Sequence, residues 1–341
     1  MTTARTGPAK QRQKIPGMGQ LCFLFFCVFC ILLIFKNAEI AIEYMISGLQ
    51  LCAKSVIPSL FPFMVLSEML VAGRIADRIP KKLLTPMQRL LGLSPVGCCN
   101  VLLGMLCGFP VGAKCTVLAH RGGMISREEA ERTLTFSSNP SSAFLISAVG
   151  VSLWENRRFG IVLYVTVLLA SLTYGFFANL FHAYKEDHAS GIPVSSPIPY
   201  PKLRWAQIFT EAVRSATGGM LLICAYVIFF SALIGTLNYV LSAFHLPDAV
   251  QAAVFCLFEL SGGVSRASAL DNSVLGALLC AFAAGWSGLS VHCQILSVCD
   301  GSGLSLRPYF AAKLLQGGLC VLLLALFLLL DPSILIPSIG I

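Results

Sequence analysis

Charged residues are scarce in this sequence. Only 12% of the 341 residues are Asp, Glu, Lys or Arg, against roughly 25% in soluble domains. Hydrophobic residues make up 56% of the chain, and several apolar runs reach the length of about 20 residues that a helix needs to cross a bilayer. Few runs alternate with the period of a transmembrane barrel strand. The composition excludes a soluble domain and predicts an all-α integral membrane protein.

Motifs of enzyme chemistry are also missing. The sequence has no H-E-x-x-H, G-x-S-x-G, Walker-type loop or paired-carboxylate constellation, and Ser290 and His292 are two residues apart, on different faces of a helix. The net charge of +8 forms no basic patch interleaved with aromatic residues. We therefore expect no catalytic residue, metal or cofactor, and no nucleic-acid partner. Any energy coupling must use an ion gradient, a partner or the substrate gradient.

A disulfide framework is not indicated, although the chain has 14 cysteines. Most of them lie inside apolar runs, where cysteine behaves as a small hydrophobic residue. The C-x-x-C pair Cys27 and Cys30 lies within a predicted span. A metal or redox role is therefore disfavoured there.

Basic residues predict the orientation in the membrane. The tail 1–17 carries four basic residues and no acid, and the loop 73–95 carries five against Asp77 alone. By the positive-inside rule both are cytoplasmic, so we expect a multi-pass protein of the cell membrane with its N-terminus inside. The predicted divisions are a basic tail 1–17, an anchor 18–36, a first repeat 37–181, a cytoplasmic linker 182–205, a second repeat 206–330 and a C-terminal tail 331–341.

Each predicted repeat contains two apolar stretches that polar residues, glycine or proline interrupt. The first has a hairpin at 96–119 and a broken helix at 126–150; the second has a hairpin at 249–270 and a broken helix at 273–299. Irregular backbone within a bilayer is tolerated only where protein buries it or it lines a cavity. If both hairpins are re-entrant, the halves enter the membrane in opposite senses and form inverted repeats. Full crossings by both hairpins would remove the inversion.

The breaks place half-helix N-termini near the bilayer centre, at Pro110, Asn139/Pro140, Gly262/Gly263 and Ser287/Gly288. Free N–H groups and the positive end of the helix dipole favour anions there. Lys114 and His292 could add positive charge near these N-termini. The predicted substrate-binding residues are Gly108, Pro110, Gly112, Lys114, Ser137, Ser138, Asn139, Glu259, Ser261, Gly262, Gly263, Ser287, Gly288, Ser290, His292 and Gln294.

Two acidic residues in apolar surroundings, Glu68 and Glu259, are candidates for ion coupling. Structural alternatives stay open for the charged groups. Lys114 can snorkel to the interface, His292 can bond a neighbouring helix, and Glu259 can cap or pair. A structural role is preferred for Glu68, which lies close to a span end.

Several motifs resemble those of one family, the sporulation integral membrane proteins of the YlbJ (SpoVV) type. The resemblance covers about residues 40–330. Its motifs are PSLFPF at 58–63, GFPVGAK at 108–114, SREEAE at 126–131 with SNP at 138–140, ELSG at 259–262 and GWSGLSVHCQ at 285–294.

This resemblance implies a fold and a function. The family belongs to the nucleoside-recognition, or Gate, domain group, which is similar in architecture to concentrative nucleoside transporters. It implies transport of dipicolinic acid, a small aromatic dianion, across the outer forespore membrane during sporulation. The expected partners are thus a small dicarboxylate or nucleoside-like substrate and the lipid bilayer. The alternatives are a nucleoside or nucleobase transporter and a non-transporting membrane scaffold or sensor; whether the chain forms a homo-oligomer is left open.

Overall fold

The computed structural model describes residues 18–72, 81–186, 205–242 and 245–336. Within these ranges the regular structure is entirely helical, which confirms the predicted all-α class. The predicted basic tail 1–17, the middle of the linker 182–205, part of the loop 73–95 and the last five residues lie outside the described residues.

The first half of the chain consists mainly of short helices separated by breaks of one to a few residues. In chain order these are α1 (Met18–Lys36), α2 (Ala38–Leu51), a π-helical turn (Cys52–Val56), α3 (Ile57–Ala72), α4 (Lys81–Leu91), α5 (Pro95–Cys107), α6 (Phe109–Arg121), α7 (Arg127–Ser137), a π-helical segment (Ala143–Leu153) and α8 (Arg157–Glu186). The predicted helix start after Ser126 is correct, since the Ser126 hydroxyl accepts a hydrogen bond from Glu129 N at 3.1 Å. Glu129 Oε1 instead accepts from Ser94 N at 2.6 Å, which ties the start of α5 to that of α7.

The second half has two long helices around two broken pairs. In chain order they are α9 (Trp205–Ser242), α10 (Asp248–Phe258), α11 (Leu260–Ser268), α12 (Ser273–Trp286), α13 (Gly288–Cys299), α14 (Arg307–Leu330) and a 3-10 turn (Pro332–Leu335). α9 runs from Trp205 to Ser242 without a break.

Four stretches of the described residues are long and apolar enough to cross a membrane: Arg157–Phe181, Trp205–Val240, Ser273–Cys299 and Arg307–Leu330. Two further helix pairs qualify if each pair counts as one bent span, and both bend by 97°. Those pairs are Leu24–Lys36 with Ala38–Lys54, and Leu84–Leu91 with Pro95–Cys107. The chain is therefore a multi-pass membrane protein.

Residues 38–72 form one continuous helical rod with a π-helical turn in its middle. Close packing against α9 explains the continuity: Gly235 lies against the Tyr44 ring, and a methyl group at Gly48 would come within 2.9 Å of Ser231 Oγ. Small residues allow such close approach between membrane helices.

Polar contacts define the two ends of the bundle. At one end, here called the basic end, Arg121 Nη2 donates to the Asp300 carbonyl at 2.6 Å and Ser305 N donates to Glu131 Oε1 at 2.8 Å. At the other, here called the far end, Asn156 Nδ2 donates to the Ile334 carbonyl at 2.8 Å. The stretch Ser273–Cys299 leads from the far end, where Gly276 lies against the Trp154 ring, to the basic end.

Both predicted hairpins fold back on themselves at a single residue. In the first, Gly104 and Gly112 lie on either side of the break at Gly108, and a methyl group added to Gly112 would lie 2.8 Å from Gly104 Cα. In the second, a methyl group added to Gly263 would lie 2.6 Å from Cys256 Cα, across the break at Glu259. Small residues on each inner face permit this contact. That the hairpins re-enter one membrane side, and that the repeats are inverted, stay predictions.

Candidate functional site

The four breaks meet in pairs. Gly108, at the turn of the first hairpin, lies against Ser141 in the first broken helix, and its added Cβ would be 3.1 Å from Ser141 Cβ. Gly288, in the second broken helix, lies against Glu259 and Leu260 at the turn of the second hairpin, with 3.0 Å from its added Cβ to Leu260 N. Both glycines have positive φ, +96° and +77°, a conformation that side chains disfavour. Each half thus brings its hairpin break against its broken-helix break.

One cavity of about 50 Å³ lies between these two pairs. Its polar lining comes from the breaks and the turn after them, and the apolar wall opposite comes from α3 and α9. The volume suits a few water molecules, whereas binding sites for small molecules are commonly about 300–1,000 Å³. In this structure the site is therefore too small for a solute of that size. The polar side chains are Ser141, Glu259, Ser261, Ser290 and Gln294, and the wall includes Leu60, Met64, Ile223 and Val227.

Glu259 caps the helix that follows it. Its backbone is extended, and its buried carboxylate accepts hydrogen bonds from Ser261 N at 2.9 Å and Gly262 N at 2.5 Å. The predicted N-terminus at Gly262/Gly263 is therefore wrong, because α11 already begins at Leu260. The correction matters chemically: the chain's own carboxylate occupies N–H groups that an anionic substrate was expected to use.

The first broken helix also resumes later than predicted. Neither Ser138 nor Asn139 caps it, and Pro140 is not its first residue; helical structure returns at Ser142, and the Ser141 hydroxyl accepts from Phe144 N at 3.1 Å. Asn139 faces the preceding helix instead, since its Nδ2 donates to the Phe136 carbonyl at 2.8 Å. Its amide is therefore committed to the carbonyl end of α7.

The second broken helix is interrupted at Ser287, which adopts a left-handed conformation with φ +80°. α12 ends at Trp286 and α13 begins at Gly288, so the half-helix N-terminus lies where the sequence predicts it. Ser290 and Gln294, one and two turns into α13, reach the cavity. The cavity therefore lies beside the first two turns of α13, and binding of an anion there stays a prediction.

Several buried polar atoms near the breaks have no hydrogen-bond partner among the described residues. They are the hydroxyls of Ser137, Ser138, Ser287 and Ser290 and the Nε2 atom of His292. Each buried unsatisfied group costs about 1–3 kcal/mol, and native proteins keep few of them without a reason. Of these residues only Ser290 lines the cavity, so its hydroxyl is the unsatisfied group that a ligand there could bond.

Lys114 lies outside the cavity lining. Its Nζ is 2.9 Å from both carboxylate oxygens of Glu68, and it also donates to the Ser215 hydroxyl. The predicted cationic residue and one predicted ion-coupling acid thus pair with each other, and they join α6, α3 and α9. Lys114 therefore does not present a free positive charge to the cavity.

His292 faces away from the cavity that Ser290 lines. Its Nδ1 is 3.0 Å from the Tyr309 hydroxyl, and its ring lies 4.4 Å from the Trp286 ring and 5.1 Å from the Phe310 ring. The predicted separation of Ser290 and His292 onto different faces is correct. The aromatic surroundings match the structural alternative, a histidine that bonds a neighbouring helix.

Lys313 is a polar centre that the sequence analysis missed. It is fully buried on α14, where its Nζ donates to Asn139 Oδ1 at 2.9 Å and Gln316 Oε1 at 3.0 Å. A lysine inside an apolar span is the signal that could have revealed it. The helix around it, Arg307–Leu330, is unbroken and so lacks the interruption by which the other site residues were predicted.

The remaining predicted residues support the breaks rather than line the cavity. Gly112 lies against the Ser137 carbonyl, and an added methyl group would be 2.2 Å from that oxygen. Gly263 packs on Cys256, and Pro110 lies in the first turn of α6. The structure therefore brings together Glu259, Ser261, Ser290 and Gln294, with Gly108 and Gly288 at the adjoining turns.

These features define an α-helical, multi-pass membrane protein whose chain breaks meet at a small cavity with five polar side chains in its lining. The chain is similar to the sporulation integral membrane protein YlbJ of Bacillus subtilis (strain 168), with 28% identity over 336 residues, 89% of this chain and 81% of that protein. This similarity supports the resemblance to the YlbJ family. No family model and no solved structure matches the chain.

Proposed function

We propose that this protein is a secondary, non-ATP membrane transporter of a small polar solute, with dipicolinate as the leading substrate. The observation that carries the proposal is the meeting of four chain breaks at one small cavity, which five polar side chains line beside apolar ones. Secondary transporters commonly place substrate between discontinuous helices in this way. A scaffold would have no need for an unsatisfied hydroxyl such as that of Ser290 at this cavity.

Dipicolinate fits part of the site's chemistry. A carboxylate of the solute could bind the N-terminus of α13 at Gly288, where the helix dipole favours negative charge, with Ser290 and Gln294 as side-chain donors. The relative's role in sporulation, as its name states, and the family resemblance both favour this substrate. On this reading the protein acts in the outer forespore membrane, with its N-terminus in the cytoplasm.

A nucleoside is the second candidate, and one observation favours it. The acid Glu259 lines the cavity, whereas Lys114 and His292 do not. A carboxylate, an amide and hydroxyls together recognise neutral donors and acceptors, such as those of a ribose or a nucleobase. Negative charge at Glu259 would oppose a dianion unless its bonds to the start of α11 offset it.

Transport requires the small cavity to enlarge. The polar breaks lie on one side, and the apolar wall of α3 and α9 lies on the other. Separation of these two faces would enlarge the cavity without breaking its polar lining. We infer that substrate enters between the breaks and the α3–α9 wall.

Uptake by reconstituted protein tests this function. Proteoliposomes with the full chain should accumulate labelled dipicolinate, and Ser290→Ala or Gln294→Met should lower the uptake efficiency about tenfold, because each removes one buried polar contact. Thr217→Ala is the matched control, since Thr217 is exposed and its hydroxyl, among the described residues, donates only to the Val213 carbonyl of its own helix. Uptake of uridine without dipicolinate would select the nucleoside reading. Transport and binding of neither solute by folded protein would favour a scaffold or sensor.

A further inference from the structure

Lys313 is a buried cation that the cavity lining does not include. Its side chain is 0% exposed, and its two hydrogen-bond partners are the neutral amide oxygens of Asn139 and Gln316. No carboxylate of the described residues forms an ion pair with it. Burial of a charge without an ion partner is costly, so this position requires a physical reason.

The carbonyl end of α7 provides that reason. Asn139 Nδ2 donates to the Phe136 carbonyl at 2.8 Å, and Gln316 Nε2 donates to the Thr135 carbonyl at 2.7 Å. Carbonyls in the last turn of a helix lack partners within the helix and carry the negative end of its dipole. The ammonium of Lys313 therefore lies one amide group away from the negative end of a half-helix that stops inside the bundle.

A similar environment binds free cations in secondary transporters, where half-helix C-termini and amide-type oxygens coordinate sodium. We infer that the Lys313 ammonium is a built-in substitute for a coupling sodium ion, held at the end of α7 by Asn139 and Gln316. This inference rests on the proposed transport function and deepens it: the first break needs no sodium, and substrate uptake is independent of that ion.

A simple structural tie is the competing explanation. A tie needs only a hydrogen-bond donor between Asn139 and Gln316, and the neutral amide of glutamine provides one. A cation substitute needs the positive charge. Lys313→Ala and Lys313→Gln therefore separate the two explanations, because both remove the charge and only glutamine retains a donor.

Thermal unfolding of the purified full-length chain in detergent tests the inference without a transport assay. The melting temperature of wild-type protein should be the same in sodium, ammonium and choline chloride at equal ionic strength. Lys313→Ala should melt lower in choline, and sodium or ammonium should raise its melting temperature saturably, by about 2 °C or more. Lys82→Ala is the matched control; it removes an exposed lysine of α4 and should show no such cation effect.

Three outcomes would overturn the inference. One is a saturable sodium effect on the melting temperature or uptake of wild-type protein. Another is a Lys313→Ala protein that responds to none of these cations. The third is a Lys313→Gln protein that melts like wild type in choline. If Lys313→Ala does not fold, the Lys313→Gln protein provides the test. If neither variant folds, the sodium dependence of the wild-type protein provides it. Absence of any uptake by wild type would remove the transport function, while the melting comparison would still report on the cation site.

Discussion

The two halves of the chain stabilise their central breaks with charges of opposite sign. In the first half, the side-chain amides of Asn139 and Gln316 donate to carbonyls at the end of α7. The Lys313 ammonium donates to the oxygen of each of these amides. In the second, the N-terminus of α11 is bonded by the Glu259 carboxylate. Each charge has the sign that the helix dipole favours at that end.

The origin of the two charges differs. Glu259 is itself the break residue, so the cap is local in sequence and forms as soon as α11 begins. Lys313 and Gln316 lie 174 and 181 residues from their partners Asn139 and Thr135. The first break therefore depends on tertiary packing, and the second depends mainly on its own sequence.

The largest expected effect concerns the orientation of the two halves, because a cysteine is labelled from one side of the membrane or from the other. Arg121 is at the basic end beside Asp300, whereas Asp271 is exposed beside the start of Ser273–Cys299, at the far end. Arg121→Cys and Asp271→Cys should therefore react with a membrane-impermeant maleimide from opposite sides. The parent protein without either substitution measures the background from its native cysteines. Reaction of both from the same side would contradict the inverted repeat.

The first hairpin should tolerate little added volume at Gly104. Gly104→Ala would place a methyl group 1.8 Å from the Ser137 carbonyl oxygen, and this backbone clash should lower the free energy of unfolding by about 3 kcal/mol or more. The measurement is denaturant unfolding in detergent. Gly318→Ala is the control, since an added Cβ there meets no atom within 4 Å; it should be neutral or stabilise by up to about 1 kcal/mol. Similar unfolding of both variants would contradict the packing described.

Glu259→Ala should destabilise the second break by about 2–4 kcal/mol, because it removes two buried hydrogen bonds to a charged acceptor. Glu259→Gln keeps one acceptor oxygen and should lose roughly half as much. The same unfolding assay measures both. Glu211→Ala is the control, since Glu211 is 62% exposed and its ion pair with Arg214 is long, at 3.9 Å. A stable Glu259→Ala protein would show that the cap is not what holds this break.

The pair Lys114–Glu68 should have the smallest effect. The Lys114 side chain is 37% exposed and the Glu68 side chain only 12%, so the pair should contribute about 1–2 kcal/mol, above the roughly 0–1 kcal/mol of fully exposed pairs. A double-mutant cycle of Lys114→Met and Glu68→Gln should return a coupling energy of about 1–2 kcal/mol. A coupling above about 2 kcal/mol would show that the pair is desolvated and central to this conformation.

Much of the architecture was predictable from pattern. The apolar stretches identified the membrane class, and the Gly-Trp-Ser-Gly run located the break at Ser287, because a left-handed residue followed by glycine is a local backbone signal. Ser126 located the start of α7 for a similar reason. The caps at 138–140 and 262–263 were mispredicted by two or three residues, since serine, asparagine and glycine near a break offer several equivalent starts.

The roles of the charged residues were not predictable in this way. Lys114 was expected at the substrate, and the packing of α6 against α3 and α9 pairs it with Glu68 instead. His292 was expected to add charge, and the contact with α14 places it among aromatic rings. A side chain's partner across helices depends on rotation and register, which hydropathy does not encode.

The sequence by itself determined that this chain is an all-helical membrane protein, that its helices break near 108, 139, 259 and 287, and that polar groups gather at those points. Local backbone chemistry is sufficient for each of these conclusions. Only the tertiary structure decided that the breaks meet in pairs around one small cavity, that Lys114 pairs with Glu68, and that Lys313 reaches the end of α7. These contacts join residues far apart in sequence, so only the packed helices can determine which groups meet.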